Sequence, residues 1–323
     1  MSHPTVSAPA SAGPTGLIDT LQTGFNTVNR HLWLLLLPLA VDVHLWLGPQ
    51  LTIGAAVSDW ASGRAEGSVA DTIERVFGEG DRTVLIPSEQ LRRYNVFWLL
   101  AVPLLGVPSF RAGVAGSGAA IAVDSVPALA VAAGCILILG VSLAVFYYGL
   151  LAQVVRSGRA ALSSFAREFG GLWVRAVALI VLSAAVGFLI AVPIVALLAV
   201  AQGAAPALLV LASLVLGIVV WLGLHLFFTT DALFVGLVGP ITAVQRSVAI
   251  VRSSFWESIV FVGLLVVITS GFPIILHELE RNLQTTGMVL AIVGHIYISA
   301  SVSAASMTYY RERFERLQPK VTR

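Results

Sequence analysis

One cysteine in 323 residues excludes an intrachain disulfide and any metal centre built on thiolates. That residue, Cys135, lies inside an apolar run and reads as a small buried packing residue. Lysine is as scarce: Lys320 stands alone, so the basic charge is carried by arginine. Charged residues of all kinds make up only 11% of the chain, against about 25% in a typical soluble domain. So little polar surface could not cover a water-soluble core of this size, and a net charge of +2 says little about partners. Gly-rich phosphate loops, dinucleotide fingerprints and serine nucleophile elbows are missing too. His277-Glu278-Leu279-Glu280 begins like a zinc-protease helix, but Arg281 stands where the second histidine would be needed. Arginines are not interleaved with aromatics as in a nucleic-acid groove, so no nucleic-acid partner is expected. Residues 1–16 contain no Lys or Arg, which a secretory signal requires at its start, and they predict a disordered tail.

What is present is apolar length. Hydrophobic residues are 57% of the chain, gathered in continuous runs of about 20 or more, the length a helix needs to cross roughly 30 Å of hydrocarbon. The runs lack the alternation of a β-barrel strand. The fold class expected is therefore all-α, a polytopic membrane helical bundle, since inside the bilayer the backbone must satisfy itself. Six spans are predicted, near 31–53, 126–151, 173–200, 206–236, 256–276 and 286–309, within one transmembrane domain over 17–310. An outer insertion, 54–125, carries two mixed-charge helical patterns near 66–78 and 87–95 and a Gly/Ala/Ser-rich run at 112–120. The apolar stretch 96–107 within it is short for a crossing and suits an interfacial or re-entrant segment.

Arg30, the set Arg156, Arg159, Arg167 and Arg175, the pair Arg246 and Arg252, and the tail 311–323 fall on one side of a six-span chain. By the positive-inside rule that side is cytoplasmic, with both termini.

An internal repeat links the two ends. Leu21 to Trp33 aligns with Val244 to Trp256: Leu21, Phe25, Val28 and Leu32 stand opposite Val244, Val248, Val251 and Phe255, at steps that line one helix face. Pro240 is well placed to begin the later helix. A weaker middle copy runs from Ala161 to Trp173. Each copy predicts a short amphipathic helix in the interface, its Arg face near head groups, followed by a tryptophan (Trp33, Trp173, Trp256) and an inward-going span, giving three hairpins.

Ionisable residues inside spans are costly and stand as functional candidates. They are Asp42 and His44 in the first span, His225 and Asp231 in the fourth, and His295 in the sixth. His44 and His295 both fall in outer halves and could meet to hold a haem or a metal ion, although single intramembrane histidines more often bond a neighbouring helix. Asp231 is expected to pair with Arg246 or Arg252. Asp42 is expected either on a proton or ion path or as a hydrogen-bonded structural carboxylate. Gly140, Gly149, Gly223 and Ser270-Gly271 read as close-packing points, and Pro193 and Pro273 as kinks.

Pro240, Ala243, Arg246, Ser247, Arg252, Phe255 and Trp256, then an apolar span, then Tyr309-Tyr310-Arg311, resemble a pattern in a broad group of bacterial six-span membrane proteins. That group includes the membrane domain found beside some glycerophosphodiester phosphodiesterases. The resemblance is best over 225–311 and implies a multi-pass protein of the bacterial plasma membrane. It brings no catalytic residues, and the phosphodiesterase domain itself is not among these residues. The expectation is a non-enzymatic accessory or scaffolding subunit, without cofactor, engaging membrane lipids or a partner membrane protein. The alternatives are a small transporter or lipid-handling protein with an intramembrane cavity, and a haem-binding redox subunit using His44 and His295.

Overall fold

The computed structural model describes residues 16–53, 95–101, 105–111, 116–123, 125–200 and 205–318, with side chains outside 195–209. The N-terminal tail to residue 15, the charged patterns near 66–78 and 87–94, residues 112–115 of the 112–120 run, the turn near Gln202 and the last residues from 319 lie outside the described residues.

The elements in chain order are α1 (Leu17–Arg30), a 3-10 turn (Leu32–Leu35), α2 (Leu36–Leu47), β1 (Gln50–Thr52), a second 3-10 helix (Val96–Ala101), β2 (Ala120–Ala122), α3 (Val126–Ser157), α4 (Leu162–Val200), α5 (Ala205–Leu226), α6 (Thr229–Gly236), α7 (Pro240–Ser253) and α8 (Phe255–Leu317). Among the described residues four helical stretches are long and apolar enough to cross a membrane, or five if α1 and the 32–47 segment, bent 86° apart, count as one. The architecture is an all-α bundle with one two-stranded parallel sheet, Gln50 to Thr52 beside Ala120 to Ala122.

The repeat is written in the backbone. α1 and α7 are both 14 residues long, both follow a glycine in extended conformation, and both end on the same unusual angles: φ −136°, ψ 48° at His31 and φ −134°, ψ 49° at Ser254. Their buried positions also coincide: Thr20, Gly24 and Val28 in α1 match Ala243, Ser247 and Val251 in α7. Of the expected stripe Leu21, Phe25, Val28 and Leu32, only Val28 is fully buried; Leu21 and Phe25 are half-buried, Leu32 is exposed, and the small residues Thr20 and Gly24 complete the buried line of α1. The cause is close approach. A Cβ on Gly24 would lie 2.6 Å from both the Ala305 methyl and the Ser301 carbonyl of α8, so α1 runs against α8 almost backbone to backbone. The middle copy differs: α4 passes through Trp173 without a break, so no separate amphipathic helix precedes it.

α8 has 63 residues; straight, it would be about 95 Å long at 1.5 Å per residue, some three times the hydrocarbon thickness. It reverses instead at Gln284, whose φ of 49° and ψ of −125° are the one non-helical pair inside it. The two arms, 255–283 and 285–317, run back along each other: Glu257 meets Arg313 at 2.7 Å and Ser258 meets Tyr309 at 3.2 Å at their free ends. Near the turn Gly287 faces the Leu279 carbonyl with no room for a side chain. The connection expected between the spans 256–276 and 286–309 is thus helical up to Leu283, and the reversal sits at Gln284, within it.

The fourth predicted span is broken between α5 and α6 at Phe227 and Phe228. Ser247 of α7 stitches the gap: its hydroxyl accepts from the Phe228 amide (3.1 Å) and donates to the His225 carbonyl (2.7 Å). The first span ends early, at Leu47, where β1 begins.

The described parts of the stretch 96–107, residues 96–101 and 105–107, pack among the helices. Asn95 pairs with Thr52, Leu99 and Leu100 lie against Gly140, Leu105 and Val107 are buried in the main core, and Tyr148 donates to the Gly106 carbonyl at 3.2 Å. Ser109 to Arg111 then return to α2. Gly149 packs on the Phe165 ring, whereas Gly223 and Gly271 have open space where a Cβ would sit.

The main core gathers α1, α3, the first half of α4 (Phe165, Leu172, Ala176 and Leu179), α6, α7 and the free ends of the α8 arms, around Tyr147, Phe228, Phe234, Phe261, Tyr309 and Tyr310. α4 and α5 leave it. Ala184 to Leu189 and Leu216 to Trp221 are each six consecutive exposed residues, more than one helical turn, so neither helix has a covered face there.

Candidate functional site

Asp42 is completely buried and saturated with donors. Its carboxylate accepts from the Ser109 hydroxyl and from the backbone N–H groups of Phe110 (2.8 Å) and Arg111 (3.2 Å). The chain 67 residues downstream is thereby fastened to α2. The Arg111 guanidinium continues the network to Glu280 (3.3 Å) and to the Met288 sulfur (3.7 Å), and Glu280 also meets His277 at 3.3 Å. Phe110 lies between the rings of His277 and His295, 4.7 and 5.6 Å away. One latch therefore joins α2, the re-entrant segment and both arms of α8. Of the two expectations for Asp42, the geometry matches the hydrogen-bonded structural carboxylate.

The histidines have separate environments. His44 meets Phe97 edge-on at 4.9 Å, while His295 faces Phe110 and Ser299. His225 donates through Nδ1 to the Trp221 carbonyl (2.9 Å) and lies on the Trp221 ring at 4.2 Å. Among the described residues no three His, Cys, Asp or Glu side chains are grouped to hold a metal ion.

Asp231 occupies a second buried site. Its carboxylate accepts from Ser306 at 2.5 Å, with Tyr148 and Tyr310 in electrostatic reach. It is not paired with Arg246 or Arg252, as the sequence suggested. α6 turns Asp231 into the core, whereas Arg246 lies on the flank of α7, 4.3 Å over the Phe314 ring and beside Tyr310, and Arg252 is exposed. The Tyr147 and Thr229 hydroxyls are buried without a hydrogen-bond partner among the described residues.

Sequence reasoning missed the aromatic stack beside it. Tyr309 is sandwiched between Phe228 (5.2 Å) and Phe261 (4.3 Å), with the buried Arg313 guanidinium 4.9 Å from its ring and tied to Glu257. The available signal was the four-residue step from Tyr309 to Arg313, which puts both on one helix face.

The interfacial tryptophans divide. Trp33 and Trp256 are 42% and 75% exposed, whereas Trp173 is half-buried and donates to Ser142 at 3.1 Å. A half-open cavity of about 260 Å³ lies at the end of α1, lined by Thr23, Asn26, Thr27 and Arg30, by His31 just beyond it, and by Val154 and Gly158 at the end of α3. No protein family, curated protein or solved structure matches the chain.

Proposed function

We propose that this is a non-enzymatic accessory or scaffolding protein of the bacterial plasma membrane, with six crossings, both termini cytoplasmic, and the α4–α5 pair offered to a partner membrane protein. The crossings would be the bent α1–α2 pair, α3, α4, the broken α5–α6 span and the two arms of α8. An even count keeps every arginine-rich connection on one side, as the positive-inside rule requires. The observation that carries the docking role is the all-round exposure of residues 184–189 of α4 and 216–221 of α5. A span that only faces lipid covers its other side with its own bundle, and these two stretches do not. Phe188 and Leu189 on α4, 72% and 74% exposed, and Ile218 and Trp221 on α5 are the central residues. A photo-crosslinking residue at Leu189 or Ile218, activated in native membranes, is expected to give a discrete protein adduct. The same residue at Val267 on α8 is expected to give lipid adducts alone, and lipid adducts alone at all three positions would refute the docking role.

The transporter alternative draws on Asp231, whose carboxylate has no ion-pair partner among the described residues. An Asp231→Asn variant with unaltered flux in proteoliposomes counts against it.

A further inference from the structure

We propose that the cavity between α1 and the end of α3 holds the anionic phosphodiester head group of a membrane lipid. Its lining is a polar stripe of α1: Thr23, Asn26, Thr27, Arg30 and His31 recur at helical spacing, on a different face from the Thr20–Gly24–Val28 stripe buried against α8. At about 260 Å³ it is far larger than the ~30 Å³ share of one water.

The charge of the cavity is set by what its polar groups already do. Two helix ends meet here, and bare carbonyls would repel an anion; five of the carbonyls around these ends are already engaged. The Gln153 and Val154 carbonyls accept from Ser157 and from the Gly158 amide, and the Val155 carbonyl accepts from Arg311. The Thr27 and Val28 carbonyls accept from the His31 ring and amide. The Arg30 guanidinium and the Asn26 amide remain uncommitted among the described residues, and no Asp or Glu lines the space. A guanidinium fork matches the two free oxygens of a phosphodiester, and one charge matches one charge. Leu32 and Trp33 follow directly and are exposed, so acyl chains leaving the cavity meet apolar surface. α7, with Ala249 and Ser253 where α1 has Asn26 and Arg30, has no such lining.

The inference rests on the reading that the arginine-bearing end lies at the bilayer surface. It is tested on the full-length protein in detergent, where orientation plays no part. Native mass spectrometry after incubation with phosphatidylglycerol is expected to show one retained lipid per chain, and none after phosphatidylcholine. Arg30→Gln is expected to lower the retained fraction at least ten-fold. Asn26→Leu, at an exposed position, fills the cavity while keeping its charge and is expected to do the same. Arg252→Gln, on the exposed face of α7, is expected to change nothing. Equal retention in Arg30→Gln, or equal loss in Arg252→Gln, overturns the site. Displacement of the lipid by excess inorganic phosphate would make it a general phosphate site and overturn the lipid assignment. Labelling an Arg30→Cys variant with a membrane-impermeant thiol reagent, from each side in turn, tests the orientation separately.

Discussion

α1 and α7 are the same device used twice, with backbone ends that agree within a few degrees and three buried positions in common, to which α7 adds Ile250. Their side chains diverge in two places. At the centre of the buried face α1 has Gly24, which lets the helix sink onto Ser301 and Ala305, while α7 has Ser247, whose hydroxyl closes the break between α5 and α6. At the polar edge α1 has Asn26 and Arg30 beside a cavity, and α7 has neither. A repeat thus keeps what sets its geometry and varies what that geometry is used for.

The comparison is sharpened most by exchanging the central residues. Gly24→Leu places a side chain where even a Cβ would lie 2.6 Å from α8 backbone, and overpacking of this kind is expected to cost about 3 kcal/mol or more. A thermal melt in detergent reads this as loss of the folded transition. Ser247→Ala leaves the Phe228 amide and the His225 carbonyl buried and unpartnered, an expected loss of about 1–3 kcal/mol in the same assay. If Ser247→Ala destabilises as much as Gly24→Leu, the two copies do not differ in the way described. At the shared bend, His31→Ser removes the ring contact to Thr27 and is expected to cost about 1 kcal/mol. Ser254→His, placing a histidine on backbone angles that His31 already adopts, is expected to change the melt by less than about 0.5 kcal/mol. A large effect at Ser254 would break the equivalence of the two bends.

The spacing from Leu21 to Trp33, repeated from Val244 to Trp256, made the paired helices legible in the sequence. Which face they bury was legible only in part: Val28 and Val251 lie in it, whereas Leu21, Phe25 and Leu32 are not fully buried. A stripe of large apolar residues follows the rule for helices in water, where burying apolar area drives packing. Between helices in lipid that drive is absent, and small residues that allow close approach decide the contact; Thr20 and Gly24 carried that signal. The long apolar runs gave the helices but not their breaks. Gln284 and the Phe227-Phe228 gap contain no glycine or proline, and only Gly287, three residues on, hints at the reversal. The candidate site was half legible. Asp42 and Asp231 stand out as carboxylates among apolar residues, but their partners, Ser109 to Arg111 and Ser306, are 67 and 75 residues away. Nothing in local pattern encodes such pairings.

A reversal made by one residue also fixes how the two arms are matched. With helix running up to Gln284 on one side and away from it on the other, no slack chain separates them. The pairing that sets Glu257 beside Arg313 and Ser258 beside Tyr309 is therefore decided at the turn, and one extra residue there would shift every such pair.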